Sequence, residues 1–175
     1  MDLTQRQDYG SASRVIEAAL ERYPDHPKLL ISAGFLWARQ KEFSKAIQAA
    51  KRAVIGAKDR QEFREQYFLA NANLCYYLAE RADPKDGAAA LQAGKLASDH
   101  ADEFSNRSSF KINYGFALVR FASSREEMVS GVAFLLELHR REMNAGQRQE
   151  VNQYLQFGLG KLISLDAPPP EKAPA

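Results

Sequence analysis

The chain has 175 residues, 45% of them hydrophobic, and its 24 Lys and Arg stand against 22 Asp and Glu for a formal charge of +2. That length supports one continuous core, while a charge so near balance gives little drive for neutralising phosphates and makes a nucleic-acid binder the weaker expectation. A single cysteine excludes a disulfide framework, no apolar run nears the roughly 18 residues needed to span a bilayer, and Met1-Asp2 opens no signal peptide, so a cytoplasmic protein off the membrane is expected.

Taken in chain order, Tyr9, Ala12, Ile16, Ala19, Leu20 and Pro24 set small and apolar residues at helical spacing across 3–24. Thirty-four positions later Phe43, Ala46, Ala50, Ala53, Val54 and Lys58 answer them. A fixed offset of this size signals stacked helical hairpins that bury one another's apolar faces. Between the two stretches, 27–41 predicts a helix carrying Leu30, Ala33-Gly34 and Trp37. Small residues at Ala33, Gly34, Ala46 and Ala53 would let paired backbones approach, with Trp37 and Phe43 filling the space beside them.

A second hairpin is predicted over 60–101. Asp59-x-x-Glu62 reads as a capping-box start for a helix to Arg81. Asp83-Pro84-Lys85-Asp86-Gly87 then breaks it, and Ala90, Gly94 and Ala97 carry the next helix, in a unit lengthened by a few residues around that turn. A third, over 107–144, places Tyr114-Gly115 and Leu118 where the first has Ala33-Gly34 and Trp37. Ser124-x-x-Glu127 opens its second helix, which runs to about Asn144 with Gly131 and Phe134 inside. Val151, Tyr154, Leu155, Gly158, Leu159 and Leu162 form one apolar stripe, predicting a helix over 147–165 that caps the stack. The Pro- and Ala-rich 166–175 reads as a flexible tail. No alternating β-branched run is present, so the expected class is all-α.

The offset and the order of bulky, small and aromatic residues resemble the tetratricopeptide (TPR) repeat family, most closely over 3–24 and 27–58. The resemblance implies a right-handed α-α superhelix of about three and a half TPR-like hairpins within 1–165, ending in a capping helix. Residues 3–24 match only the second half of a unit, which suggests that further repeats or another domain precede them in a larger protein. Lys58 stands where the family has proline, an expected loosening of that helix exit.

Members of the family bind partners on the concave wall made by the first helix of each hairpin, and that resemblance implies a scaffold or adaptor for a protein or peptide partner. Projecting the register inward gives Ile31, Phe35, Ala38 and Arg39 from the first hairpin, Ala72, Tyr76 and Glu80 from the second, and Ile112, Phe116, Val119 and Arg120 from the third. Phe35, Tyr76 and Phe116 fall at one level. Such a ladder suits a groove for an apolar or amphipathic peptide helix; it equally suits aromatics buried between helices or covered by the C-terminal one. Co-chaperone members grip a C-terminal carboxylate with lysine and asparagine on this wall, where Ile31 and Phe35 stand here, so that specificity is disfavoured.

Catalytic chemistry has little support. His26, His100 and His139 lie far apart, Cys75 sits among Leu74, Tyr76 and Tyr77 as a small core residue, and Asp25, Glu126 and Glu127 fit helix starts. Gly158-x-Gly160-Lys161 lacks the glycine spacing of a phosphate loop. No enzyme activity, cofactor or metal is therefore expected. Two other functions remain open. One is a sensor or self-association domain that controls an attached effector. The other is an RNA-reading helical repeat, for which Lys41, Lys45, Lys51, Arg52, Lys58, Arg60 and Arg64 are interrupted by Glu42, Asp59, Glu62 and Glu65.

Overall fold

The computed structural model describes residues 9–104, 108–141 and 143–166. They form α1 (Tyr9–Arg22), α2 (Pro27–Arg39), α3 (Phe43–Ala57), α4 (Arg64–Arg81), α5 (Gly87–Asp99), α6 (Ser108–Phe121), α7 (Arg125–His139) and α8 (Ala145–Asp166), with no strand among the described residues. The expected start at Leu3, the hairpin start at Arg107 and, of the expected tail at 166–175, all but Asp166, which ends α8, lie outside them.

Local chemistry sets most boundaries. Pro27 opens α2 after an extended His26, a position whose N–H has no helical partner to lose. α2 ends in a left-handed Lys41 (φ 63°), where the Lys41 amide bonds the Ala38 carbonyl and the Glu42 amide bonds that of Trp37. That pairing satisfies the last carbonyls and turns the chain into α3 within three residues. Lys58 does not prolong the exit of α3, which closes at Ala57 with the Lys58 amide on Val54.

The two expected capping boxes fare differently. Ser124 accepts from the Glu127 amide while the Glu127 carboxylate takes the Ser124 amide, a reciprocal cap for α7. Asp59 makes no such cap. Its φ of 60° is left-handed, whereas a capping residue needs extended backbone, and Glu62 is held by Arg60 instead. The chain passes through a short 3-10 turn, Gln61–Phe63, before α4 begins at Arg64. α7 also stops at His139, short of the expected Asn144.

The thirty-four-residue period occurs once. α1 and α3 begin at Tyr9 and Phe43, but α5 begins at Gly87 and α7 at Arg125, spacings of forty-four and thirty-eight. The added length lies in the turns Gln61–Phe63 and Pro84–Asp86 and in the longer α4 for the first of these spacings, and in the connection through the turn Ala101–Glu103 for the second.

Each helix packs on the next, and α2, α4, α6 and α8 also pack in series, whereas α3 with α5 and α5 with α7 do not to a comparable extent. Small residues make the close approaches. A Cβ built on Gly94 of α5 would fall 2.6 Å from Cys75 Sγ and 3.0 Å from Tyr114, so α4, α5 and α6 meet there at backbone distance. One apolar cluster runs from Ala46 and Ile47 through Leu78, Ile112 and Leu135 to Val151 and Leu155. Smaller ones centre on Leu30, Ala49 and Ala53, and on Phe68, Ala97 and Phe110.

Candidate functional site

The predicted wall residues lie on α2, α4 and α6, the helices that pack in series, but their exposure diverges along the chain. On α2, Phe35 is 54% exposed, Arg39 is exposed and Ile31 is half-buried against the Leu30–Ala53 cluster. On α4, Ala72 is buried and Tyr76 half-buried. On α6, Ile112 and Phe116 are buried and Arg120 is half-buried. Phe35 and Arg39 are therefore exposed at the surface, while Phe116, at 6% exposure, is already occupied.

The occupant is α8. Its Tyr154 ring stacks on Phe116 with centroids 4.1 Å apart and planes 14° apart, and the Tyr76 ring lies 6.3 Å from that of Phe116. Gly158 permits the approach, since a Cβ there would fall 2.8 Å from Val132 and 3.1 Å from Val119. Of the predicted stripe of α8, Val151, Tyr154, Leu155 and Gly158 are buried and Leu162 is half-buried, but Leu159 is 47% exposed. Leu159 follows Gly158 by one residue, about 100° around the helix, and so turns away from the packed face.

Polar groups border this aromatic stack. The Tyr154 hydroxyl donates to Glu150 Oε1 at 3.0 Å. Burial pushes the hydroxyls of Tyr76 and Tyr154 far above the ordinary tyrosine range, with Glu80 adding at Tyr76 and Glu150 at Tyr154. Burial also raises Glu150, aided by Glu80 and opposed by the Tyr154 bond. Both phenols stay neutral, so they serve as hydrogen-bond donors and not as bases.

Arg120 turns toward the helix ends. Its Nε donates to the Ala79 carbonyl at 3.1 Å, and its guanidinium lies 5.1 Å from the Phe157 ring centroid. Lys161 Nζ repeats the pattern one helix on, donating to the carbonyls of Val119 and Arg120 at 3.4 and 3.1 Å. Phe157 and Lys161 were missed as site residues. A register of forty to forty-one residues finds them: Phe35, Tyr76, Phe116 and Phe157 fall on it, as do Arg39, Glu80, Arg120 and Lys161.

Cys75 is fully buried and desolvation pushes its thiol up to about 12, leaving a protonated sulfur on the Asn113 carbonyl. Among the described residues no group of three or more His, Cys, Asp or Glu is placed to hold a metal, and no helix is long and apolar enough to cross a membrane. Comparison with family models, with curated proteins and with solved structures gave no match.

Proposed function

We propose that this chain is a protein-interaction module of TPR-like hairpins, and that it takes a peptide or helix of a partner protein on the stretch of its inner wall around Ile31, Phe35 and Arg39, bordered by Tyr76. The observation that carries the reading is Phe35, a rigid aromatic 54% exposed on a helix otherwise well packed. An exposed ring with an aliphatic neighbour and a cation at its edge gives large contact area at low entropic cost. The part of the wall formed by α6 belongs to the chain's own α8, so the partner segment is short, one or two helical turns.

Selection of a displayed peptide library on the full chain tests this. Apolar or amphipathic peptides that bind wild type and lose binding to Phe35→Ala, with its melting unchanged, support the reading; peptides indifferent to Phe35 overturn it. Self-association is a second reading, favoured by the exposed Val15 on α1 and Leu159 and Ile163 on α8. Mass that rises with concentration, and falls back in Ile163→Lys, would select it.

A further inference from the structure

Where α4 gives way to α5 and α6 ends beside α8, the surface opens into a cleft of about 570 Å³. Pro84, Phe121 and Phe157 supply apolar wall, Ala122 lines one side, and Arg120 and Lys161 bring two positive charges. The volume lies in the range of small-molecule sites, roughly 300 to 1,000 Å³.

The charges are the informative feature. Both cations lie over the same Phe157 ring, Arg120 at 5.1 Å and Lys161 at 5.5 Å from its centroid. Neither forms an ion pair with a carboxylate among the described residues. Of the acidic groups nearby in sequence, Glu80 is bonded to Tyr76, Asp86 is held bidentately by Arg81 at 2.8 and 2.7 Å, Asp83 caps the amide of Lys85, and Glu127 is held by Ser123 and Ser124. Desolvation, and then the charge of Arg120, lower the Lys161 pKa. Two like charges drawn partly out of water with no counter-ion are unfavourable unless something else neutralises them.

Each cation also has donors to spare. Arg120 uses Nε on Ala79, which leaves its terminal N–H groups without a protein acceptor among the described residues. Lys161 places two of its three N–H groups on carbonyls at the end of α6. Those carbonyls belong to the last turns of α4 and α6, whose helix C-termini carry only about half a negative charge each, so they orient the two cations and offset them in part.

We propose that this cleft binds a small organic oxyanion, a carboxylate or phosphate carrying an apolar or aromatic body, with the anionic head between Arg120 and Lys161 and the body against Phe121 and Phe157. Charge-assisted bonds from a planar guanidinium and an ammonium fit such a head, and the rings fit the body. The site is separate from the wall around Phe35, so neither proposal depends on the other.

Titration of the full chain with phenyl phosphate, benzoate and inorganic phosphate, read by the amide signals of residues 120–123 and 157–161, tests it. Saturable shifts confined to those residues are expected, with phenyl phosphate on the order of tenfold tighter than inorganic phosphate from burial of its ring. Ala122→Glu keeps both cations and their carbonyl bonds while placing a carboxylate on the wall, and should weaken phenyl phosphate at least about tenfold. Lys161→Arg should retain binding and Lys161→Gln should lose it. No saturable shift at these residues, or an affinity unchanged in Ala122→Glu, would overturn the site. Should Lys161→Gln fail to fold, the other two variants still decide.

Discussion

The first and last hairpins carry the same dipeptide at the same register, Gly34-Phe35 on α2 and Gly115-Phe116 on α6, yet one ring is 54% exposed and the other 6%. In both, the glycine faces the chain that follows in the stack: Gly34 meets Tyr77 and the Ala46 carbonyl, and Gly115 meets Leu135 and Phe134. The aromatic then points to the same side of its helix. What differs is the neighbour in series, because α8 lays Tyr154 over Phe116 while Tyr76 of α4 leans toward Phe116 and leaves Phe35 open. Register fixes direction; a helix about forty residues away fixes whether that direction is core or surface.

The largest effect that could break this comparison is truncation of the two rings. Phe116→Ala should cost about 3 to 5 kcal/mol in chemical denaturation, as for buried aromatics generally. Phe35→Ala should change stability by no more than about 0.5 kcal/mol. Equal costs would mean that the two positions are equally packed.

The glycines give the next test. A Cβ at Gly115 falls 2.5 Å from Leu135 Cδ2 and 3.1 Å from its Cγ, so Gly115→Ala should lose about 1 to 2 kcal/mol despite the gain in helix propensity. At Gly34 the tightest approach is 3.3 Å, to Tyr77, and the propensity gain of about 1 kcal/mol roughly offsets it. Gly34→Ala should therefore melt near wild type.

The two predicted caps sharpen the contrast further. Ser124→Ala should cost about 1 kcal/mol by removing an acceptor from the start of α7. Asp59→Gly should instead stabilise by up to about 1 kcal/mol, since glycine tolerates the left-handed backbone that Asp59 adopts. A loss at both positions would restore a capping role to Asp59.

The smallest effect is in pH. The Glu150 pKa is raised in the fold, chiefly by burial, so its contribution is fully present below the ordinary carboxylate range and is lost as pH climbs through the raised value. Glu150→Gln keeps an acceptor for the Tyr154 hydroxyl. It should be slightly more stable than wild type at neutral pH, with the gap closing in acid; a gap independent of pH would contradict the burial of Glu150.

Much of the helical framework was legible from local chemistry. Pro27, the Ser124–Glu127 pair and the break at Asp83–Gly87 act within a few residues, and the structure uses each of them. Asp59 misled because Asp59-x-x-Glu62 matches a cap in spelling, while the turn out of α3 requires a positive φ at that residue. The first two units are spaced by thirty-four and the later ones by more; the break at Asp83–Gly87 pointed to a lengthened unit, but the local pattern did not give the extra turns at Gln61–Phe63 and Ala101–Glu103. The stripe Val151, Tyr154, Leu155 and Gly158 said that α8 buries a face, and cover of the wall aromatics by that helix was one open alternative, but nothing local singled out Phe116 over Phe35 as the ring it would meet. Of the eleven wall residues, Phe35 and Arg39 are the exposed pair, while Ala72, Ile112, Phe116 and Val119 are interior.

Hydroxyl-radical footprinting read by mass spectrometry tests the central claim most directly, that the wall is open at Phe35 and closed by α8 at Phe116. The account predicts fast oxidation of Phe35 and protection of Phe116 comparable to that of Phe110, which is fully buried. Oxidation of Phe116 as fast as Phe35, or protection of both, would contradict it.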